Sequence, residues 1–280
     1  MNGDRFVLVL GSRDYPEQLA ECPDPPKMLY GVGDPSALRP GLAIVGARRA
    51  TPYGLRATRM LAGWAASQGI TVISGAAIGC DREAHSAAIE SGGPTVAVLG
   101  CGPDVDYPHR SAGLLATMRG ATAVVSECPF GQQPLRFAFA RRNRIIAGLA
   151  MAVLVVEAGL PSGTFSTADA ALEAGREVLA VPGSIFSPES RGSNRLIRQG
   201  AAMVNDVADL AISLGRTTVI QPATPEDASE ALRALRADPM RPDDFARALG
   251  IDIVAAASTL GALEARGVIT RYADGRYGMA

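Results

Sequence analysis

The residues best suited to chemistry form a cluster of three arginines and one asparagine, Arg141-Arg142-Asn143-Arg144. An apolar segment and a strand-like run at 152–156 follow, so the pattern predicts that the cluster stands at the start of a helix. Helix N-termini attract anions, and guanidinium groups hold phosphate through paired hydrogen bonds. The cluster therefore favours a site for a phosphate-bearing polyanion. A solvated helix end is the alternative that the pattern leaves open.

Glycine-rich turns follow several predicted strands, and in an open parallel sheet such turns converge on one ligand-binding edge. The first contains Gly46 and Arg48 but lacks the G-x-G-x-x-G fingerprint, which argues against a hydride-transfer enzyme. The sharpest anion-binding signal is the turn Ser162-Gly163-Thr164, where Ser162 or Thr164 also caps the following helix. The predicted phosphate-binding residues are Gly46, Arg48, Gly75, Arg142, Asn143, Arg144, Ser162, Gly163 and Thr164.

Three ring side chains near these turns have two interpretations each. Phe137 and Phe139 precede the arginine cluster and offer faces for base stacking, or they pack in the core. His85 lies one turn into a predicted helix, where packing or capping is favoured over general-base catalysis. We therefore predict no catalytic residue, no metal site and no cofactor.

Composition narrows the classes of protein. The chain has 280 residues, 48% of them apolar and 20% charged, which indicates a globular fold with a small appended module. No apolar run approaches the roughly 20 residues of a membrane span, and the first five residues do not resemble a signal peptide. Four widely spaced cysteines match no metal pattern, so we expect a cytoplasmic protein. A net charge of −1 still permits a local basic groove.

The order of elements predicts two domains joined by a linker. Residues 1–40 are proline-rich and indicate an irregular lead-in packed on the main domain, with one short strand at 6–10. Residues 41–214 alternate short apolar strands with amphipathic helices, which is typical of a doubly wound, mostly parallel α/β sheet. Residues 215–226 form a polar linker, and 227–280 predict three helices and a hairpin, the winged-helix pattern.

Several of these motifs, taken in order, resemble the DNA processing protein A family (DprA, also called Smf), and the resemblance covers nearly all of the chain. The segments that carry it are Ile44–Arg48, Ser74–His85, Leu99–Gly102 with Tyr107-Pro108, Arg142–Leu149, Val155–Ala158, Ser162–Thr164, Gly175–Val178, Val181–Ser184 and Asn194–Ala201. The resemblance implies an extended Rossmann-like domain that binds single-stranded DNA and helps to load the RecA recombinase during natural transformation. It also implies a homodimer, and DNA-phosphate contacts from Arg48, Arg142-Asn143-Arg144 and the 162–164 turn. Pro161 and Asp169 stand where relatives usually carry basic residues, which predicts weaker binding.

Two rival classes remain. The first is a nucleotide phosphoribohydrolase of the related Rossmann-like group, for which Glu157 is the one well-placed carboxylate. The second is a winged-helix transcription regulator, but its candidate recognition helix has no arginine or lysine from Asp252 to Leu260. From Arg216 onward the chain has no basic excess, so protein docking is favoured for this module, although Arg271 and Arg276 leave weak duplex contact open.

Overall fold

The computed structural model describes residues 3–216 and 230–280, and the chain divides into two compact units, Met1–Thr218 and Val219–Ala280. The strands of the first unit are β1 (Arg5–Val9), β2 (Met28–Gly33), β3 (Gly41–Val45), β4 (Thr71–Ser74), β5 (Thr95–Leu99), β6 (Ala123–Ser126), β7 (Ala150–Val155), β8 (Glu177–Ala180) and β9 (Ala202–Met203). Its helices are α1 (Glu17–Ala20), α2 (Pro52–Ser67), α3 (Cys80–Glu90), α4 (Ala112–Ala121), α5 (Arg136–Leu149), α6 (Phe165–Glu173), α7 (Arg191–Arg198) and α8 (Val207–Ser213).

One nine-stranded sheet organises this unit, in the order β1-β2-β6-β5-β4-β3-β7-β8-β9. All pairings from β6 to β9 are parallel, and β1 and β2 add to the edge in antiparallel fashion. The chain runs outward from β3 in one direction and from β7 in the other, so the strand order reverses between these two strands. Ligands bind at such a reversal in open α/β sheets.

Both faces of the sheet are covered by helices, as the apolar strands predict. Along β3, Leu42 and Ile44 belong to the cluster that packs on α2 and α3, whereas Ala43 and Val45 belong to the cluster that packs on α5 and α6. The alternation follows from the two-residue period of a strand. Helix α2 begins as expected, because the Thr51 hydroxyl accepts a hydrogen bond from the backbone N–H of Gly54.

The first 40 residues contain more regular structure than the sequence indicated. Strand β1 lies close to the single short strand expected at 6–10, but β2 was missed. Glycines at positions 31 and 33 dilute its apolar pattern and lower its strand propensity. Because β2 lies between β1 and β6, these residues extend the main sheet.

The expected start of the arginine-bearing helix was wrong. Helix α5 begins at Arg136, so residues 141–144 lie inside the helix and not at its N-terminus. Leu135 adopts the extended conformation of a residue that precedes a helix, and the alternation of Phe137 and Phe139 gave no sign that the helix begins this early. The dipole of a helix N-terminus therefore does not act on the arginine cluster.

The second unit contains α9 (Glu230–Ala237), α10 (Pro242–Leu249), α11 (Ile253–Ala265) and the antiparallel pair β10 (Ile269–Arg271) and β11 (Tyr277–Met279). This is the predicted order of three helices and a hairpin. Most of the proposed linker at 215–226 falls outside the described residues. No single helix in the described ranges is long and apolar enough to cross a membrane; α10 and α11 meet that test only jointly and are bent by 109°.

Candidate nucleic-acid interface

A cleft of about 780 Å³ opens where the strand order reverses, at the carboxyl ends of β3 and β7. The turn after β3, the turn after β7 and one side of α5 form its walls. Of the nine predicted phosphate-binding residues, seven line this cleft: Gly46, Arg48, Arg142, Asn143, Ser162, Gly163 and Thr164. Separate parts of the sequence therefore converge on one site, as the strand-end argument predicted.

Three arginines at the mouth of the cleft carry its accessible positive charge. Arg48 and Arg49 follow β3, and Arg136 begins α5. All three side chains are exposed, and none forms an ion pair or hydrogen bond within the described residues. We call Arg48, Arg49 and Arg136 the rim arginines. Only Arg48 was predicted, since Arg49 and Arg136 lie outside any motif and their position depends on the fold.

The turn at 162–164 supplies hydrogen-bond donors of the backbone. The Ser162 hydroxyl accepts the N–H of Thr164 at 3.2 Å and donates to the Thr164 hydroxyl at 3.0 Å. Thr164 is the N-cap residue of α6, one of the two predicted, but its side chain forms no capping hydrogen bond. In the described part of the chain, the backbone N–H groups of Ser162 and Gly163 have no acceptor. Two free amides beside the rim arginines are suited to an anionic oxygen.

Arg142 forms the floor of the cleft and does not reach outward. Its side chain is 7% exposed, and its guanidinium donates to the carbonyls of Gly75, at 2.8 Å, and Val98. Burial lowers the pKa of Arg142, and the nearby negative charge of Asp81 opposes that shift. Its Nε and Nη1 donors are used within the protein, so Arg142 holds the ends of β4 and β5 together. A direct phosphate contact from Arg142 stays a prediction.

Asn143 connects the floor to the turn at 162–164, which we call the phosphate turn. Its side-chain carbonyl accepts from Nε of Arg142 at 3.2 Å, and its amide donates to the Ser166 hydroxyl at 2.7 Å. Ser166 in turn donates to the carbonyl of Gly163 at 2.8 Å. Asn143 and Ser166 therefore position the turn. No sequence pattern indicates Ser166, because its contact with Asn143 joins two helices that only the fold brings together.

Two predicted phosphate ligands lie outside the cleft. Arg144 forms ion pairs with Glu127, at 2.7 Å, and Asp24, at 2.9 Å. It lies two residues after Arg142, so it projects from a different side of α5. Gly75 is buried against Arg142: a Cβ atom there would lie 2.3 Å from its guanidinium. The need for glycine at 75 is therefore packing. Gly46 serves a similar purpose, since its Cβ would lie 2.6 Å from Sγ of Cys80.

The titratable groups beneath the floor are structural. His85 is fully buried, its Nδ1 lies 2.7 Å from the Thr95 hydroxyl, and burial together with the charge of Arg142 lowers its pKa to about 3. Burial raises the pKa of Asp81, whose carboxylate accepts the N–H of Gly75 at 3.1 Å. A neutral, enclosed imidazole fits the packing interpretation of His85 and leaves it no route to a substrate.

Glu157, the carboxylate that a phosphoribohydrolase would need, is already engaged. It is 1% exposed, and its two oxygens accept the N–H and the hydroxyl of Thr51, each at 2.7 Å. These bonds fix the start of α2. The carboxylate therefore organises the start of a helix, and within the described ranges no arginine forms an ion pair with it.

The two phenylalanines differ in surroundings. Phe139 is half-buried, lines the cleft and packs on Tyr107 with ring centroids 5.4 Å apart. Phe137 is 66% exposed and is not a lining residue of the cleft. Base stacking stays a prediction for both. Among the described residues, no group of three His, Cys, Asp or Glu side chains has the arrangement of a metal site.

In the second unit, the first turn of α11 presents apolar side chains. Ile253 is 50% and Val254 75% exposed. Asp252 caps the helix by accepting the backbone N–H groups of Val254 and Ala255. Long donors for reading base edges are absent from this turn, as the sequence predicted.

Comparison with known proteins identifies the family. A family model described as DNA recombination-mediator protein A matches residues 6–215, and a model described as DprA winged helix domain matches residues 217–275. The chain belongs to the DprA/Smf family. The resemblance stated from the sequence and the predicted fold class, a Rossmann-like sheet with a winged-helix module, are confirmed.

Individual relatives agree with this assignment. Protein Smf from Escherichia coli (strain K12) is 43% identical over 209 residues, which are 74% of this chain and 56% of that protein. The chain therefore spans little more than half the length of this DprA/Smf relative. The X-ray structure of DNA processing protein A from Streptococcus pneumoniae is 37% identical, with a TM-score of 0.71 over 75% of each chain. DNA processing protein A from Helicobacter pylori, described as having a unique single-stranded DNA binding mode, is 29% identical, with a TM-score of 0.69 over 76% of this chain and 96% of that one.

Proposed function

We propose that this protein binds single-stranded DNA without sequence preference and acts as a recombination mediator. The observation that carries the proposal is the cleft at the strand reversal, which combines the rim arginines with the free amides of Ser162 and Gly163. Guanidinium groups and amides bind phosphate and read no base sequence. The binding mode described for the Helicobacter pylori relative supports the same ligand.

In this proposal the DNA-phosphate contacts come from Arg48, Arg49, Arg136 and the 162–164 turn. Arg142 and Asn143 act as positioning residues, since their hydrogen bonds hold the strand ends and the turn. A continuous strand suits this cleft better than a nucleotide does, because three exposed guanidinium groups at its mouth can contact successive phosphates.

We further propose that the protein works in the cytoplasm without catalysis, as a homodimer, and delivers single-stranded DNA to RecA. The rival phosphoribohydrolase is not favoured, because Glu157 is enclosed and bonded to Thr51. A transcription regulator is not favoured either, because the first turn of α11 has no long donor.

The binding proposal is tested by gel-shift titration of single-stranded oligonucleotides of several lengths at several salt concentrations, beside duplex and mononucleotide controls. We expect affinity that increases with strand length and falls steeply with salt. Preference for duplex would support a transcription regulator. Release of a free base from a nucleoside monophosphate would support the enzyme. Either result without single-strand binding contradicts the proposal.

The mediator proposal needs a separate measurement. RecA filament formation is followed on single-stranded DNA that is already coated with a blocking protein, with and without this chain. We expect faster filament formation when the chain is present. Equal rates at concentrations that saturate the DNA would leave a DNA-binding protein that does not load RecA.

A further inference from the structure

The loop after β8 carries an aromatic side chain that no part of the described structure covers. Phe186 is 89% exposed, the highest value for a large apolar side chain in residues 3–216 and 232–280, and its neighbour Ile185 is 81% exposed. Aromatic residues make up only 5% of the chain, and burial of a phenyl ring is favourable. A ring presented fully to solvent therefore suggests a contact with a ligand.

The loop that carries this ring is fixed by hydrogen bonds. The side chain of Asn194 donates to the carbonyl of Gly183 at 2.9 Å and accepts its N–H at 3.0 Å. Within the loop, the Ser184 hydroxyl accepts the N–H of Phe186 at 3.2 Å, and the Ser184 carbonyl accepts the N–H of Ser187 at 3.1 Å. The ring therefore projects from an ordered turn, and ordering it on binding costs little entropy.

The segment that follows the ring reaches the cleft at one residue, Glu189. Glu189 lines the cleft and accepts a hydrogen bond from the Ser187 hydroxyl at 2.9 Å. Just beyond the loop, the N–H of Gly192 donates to the carbonyl of Ala158 at 2.6 Å, on the segment that leads into the phosphate turn. The exposed ring and the anion-binding turn therefore belong to adjoining segments that are joined directly.

We propose that Phe186 is a stacking platform for a nucleobase of the single strand whose phosphates lie in the cleft. This proposal rests on the proposed function. A strand held by its phosphates leaves its bases free, and every base has a flat face that stacks on a phenyl ring without sequence preference. Phe186 shares a hydrogen-bonded segment with Glu189, which lines the cleft, and this segment is joined through Gly192 to Ala158, so a strand that leaves the cleft on this side meets the ring.

The neighbouring side chain of Ile185 allows an experiment to distinguish a nucleobase from a protein partner as the ligand of this loop. A protein surface that docks on this loop would use both apolar side chains, whereas stacking requires the flat ring alone. Ile185→Ala is therefore a matched control for Phe186→Ala, since the two residues are adjacent and similarly exposed.

The test measures the affinity of the full chain and its variants for an oligo-dT strand and for an abasic strand of equal length, at one salt concentration. We expect Phe186→Ala to weaken dT binding about fivefold or more and to leave abasic binding unchanged. We expect Phe186→Trp to bind dT as the parent does. The fluorescence of the new tryptophan should be quenched by dT, and the parent, whose one tryptophan is Trp64, measures the background. Ile185→Ala binds both strands as the parent does.

The possible failures are distinguishable. One outcome is that the parent binds single strands and Arg48→Ala weakens that binding, but Phe186→Ala binds dT like the parent. This outcome overturns the stacking proposal alone. Equal weakening by Ile185→Ala, or an equal loss on the abasic strand, overturns it as well. A parent that does not bind single strands overturns both proposals.

Discussion

The rim and the floor of one cleft use the same side chain for opposite purposes. The rim arginines are exposed and free of ion pairs within the described residues, whereas Arg142 on the floor is 7% exposed and donates to two backbone carbonyls. A guanidinium in water retains its donors for a ligand, but a buried one must use them inside the protein. Arginine at a binding cleft is therefore not by itself a ligand contact.

The strongest test of this difference is Arg142→Met. Removal of the guanidinium leaves the carbonyls of Gly75 and Val98 unpaired and leaves Asp81 buried without its nearby positive charge. We expect the free energy of unfolding to fall by about 3–5 kcal/mol, the typical cost of breaking a buried charged network. Urea unfolding, followed by circular dichroism, measures it.

The matched control is Arg141→Ala, one position earlier on the same helix. Arg141 is exposed and pairs with Glu127 at 3.2 Å, so its loss costs less than about 1 kcal/mol. Equal stability of the Arg142→Met variant and the parent would mean that the floor is not structural. In that case Arg142 would return as a candidate ligand.

A second, smaller effect tests the floor through the pH dependence of the free energy of unfolding. His85 has a pKa of about 3 in the folded protein, below its ordinary value of 6.5, so the unfolded chain takes up the proton first as pH falls. Stability from this group is present above pH 6.5 and is lost as pH falls toward 3. Between pH 7 and pH 5 we expect its loss to amount to about 2 kcal/mol.

The comparison is between the parent and His85→Asn, unfolded in urea at pH 7 and at pH 5. The variant is less stable at pH 7, but its stability should change with pH by about 2 kcal/mol less than that of the parent. If both proteins lose the same free energy on acidification, the imidazole is not held neutral in the folded state. The floor would then be less enclosed than its burial indicates.

The rim arginines are tested by measuring how a variant binds single-stranded DNA while its free energy of unfolding stays that of the parent. The double variant Arg48→Ala, Arg49→Ala removes two exposed guanidiniums that bond to nothing in the described structure. We expect the slope of log affinity against log salt for single strands to flatten by about 1.4, at about 0.7 for each lost phosphate contact. Urea unfolding should match the parent within about 0.5 kcal/mol. An unchanged slope would contradict a role of these two arginines in holding phosphate.

The sequence was sufficient for the fold and for the convergence of the strand ends, but not for the difference between rim and floor. Strand periodicity and glycine-rich turns are local signals. They were enough to predict that Arg48 and the 162–164 turn lie at one edge of the sheet, where the structure has them. Whether a guanidinium is buried depends on which carbonyls the neighbouring strands present, which no local pattern records. Arg142 and Arg144 were therefore predicted alike, although one lies under the cleft and the other pairs with Glu127 and Asp24.

The smallest expected effect concerns the second unit and tests whether the DNA contacts are confined to the cleft. Arg266 and Arg271 are exposed arginines near and on the hairpin, and the double variant Arg266→Ala, Arg271→Ala removes the same charge as the rim variant. If the strand lies in the cleft, the salt slope for single strands should change by less than about half a unit. A change as large as that of Arg48→Ala, Arg49→Ala would mean that binding follows total charge. Phosphate contacts would then extend onto the winged-helix unit.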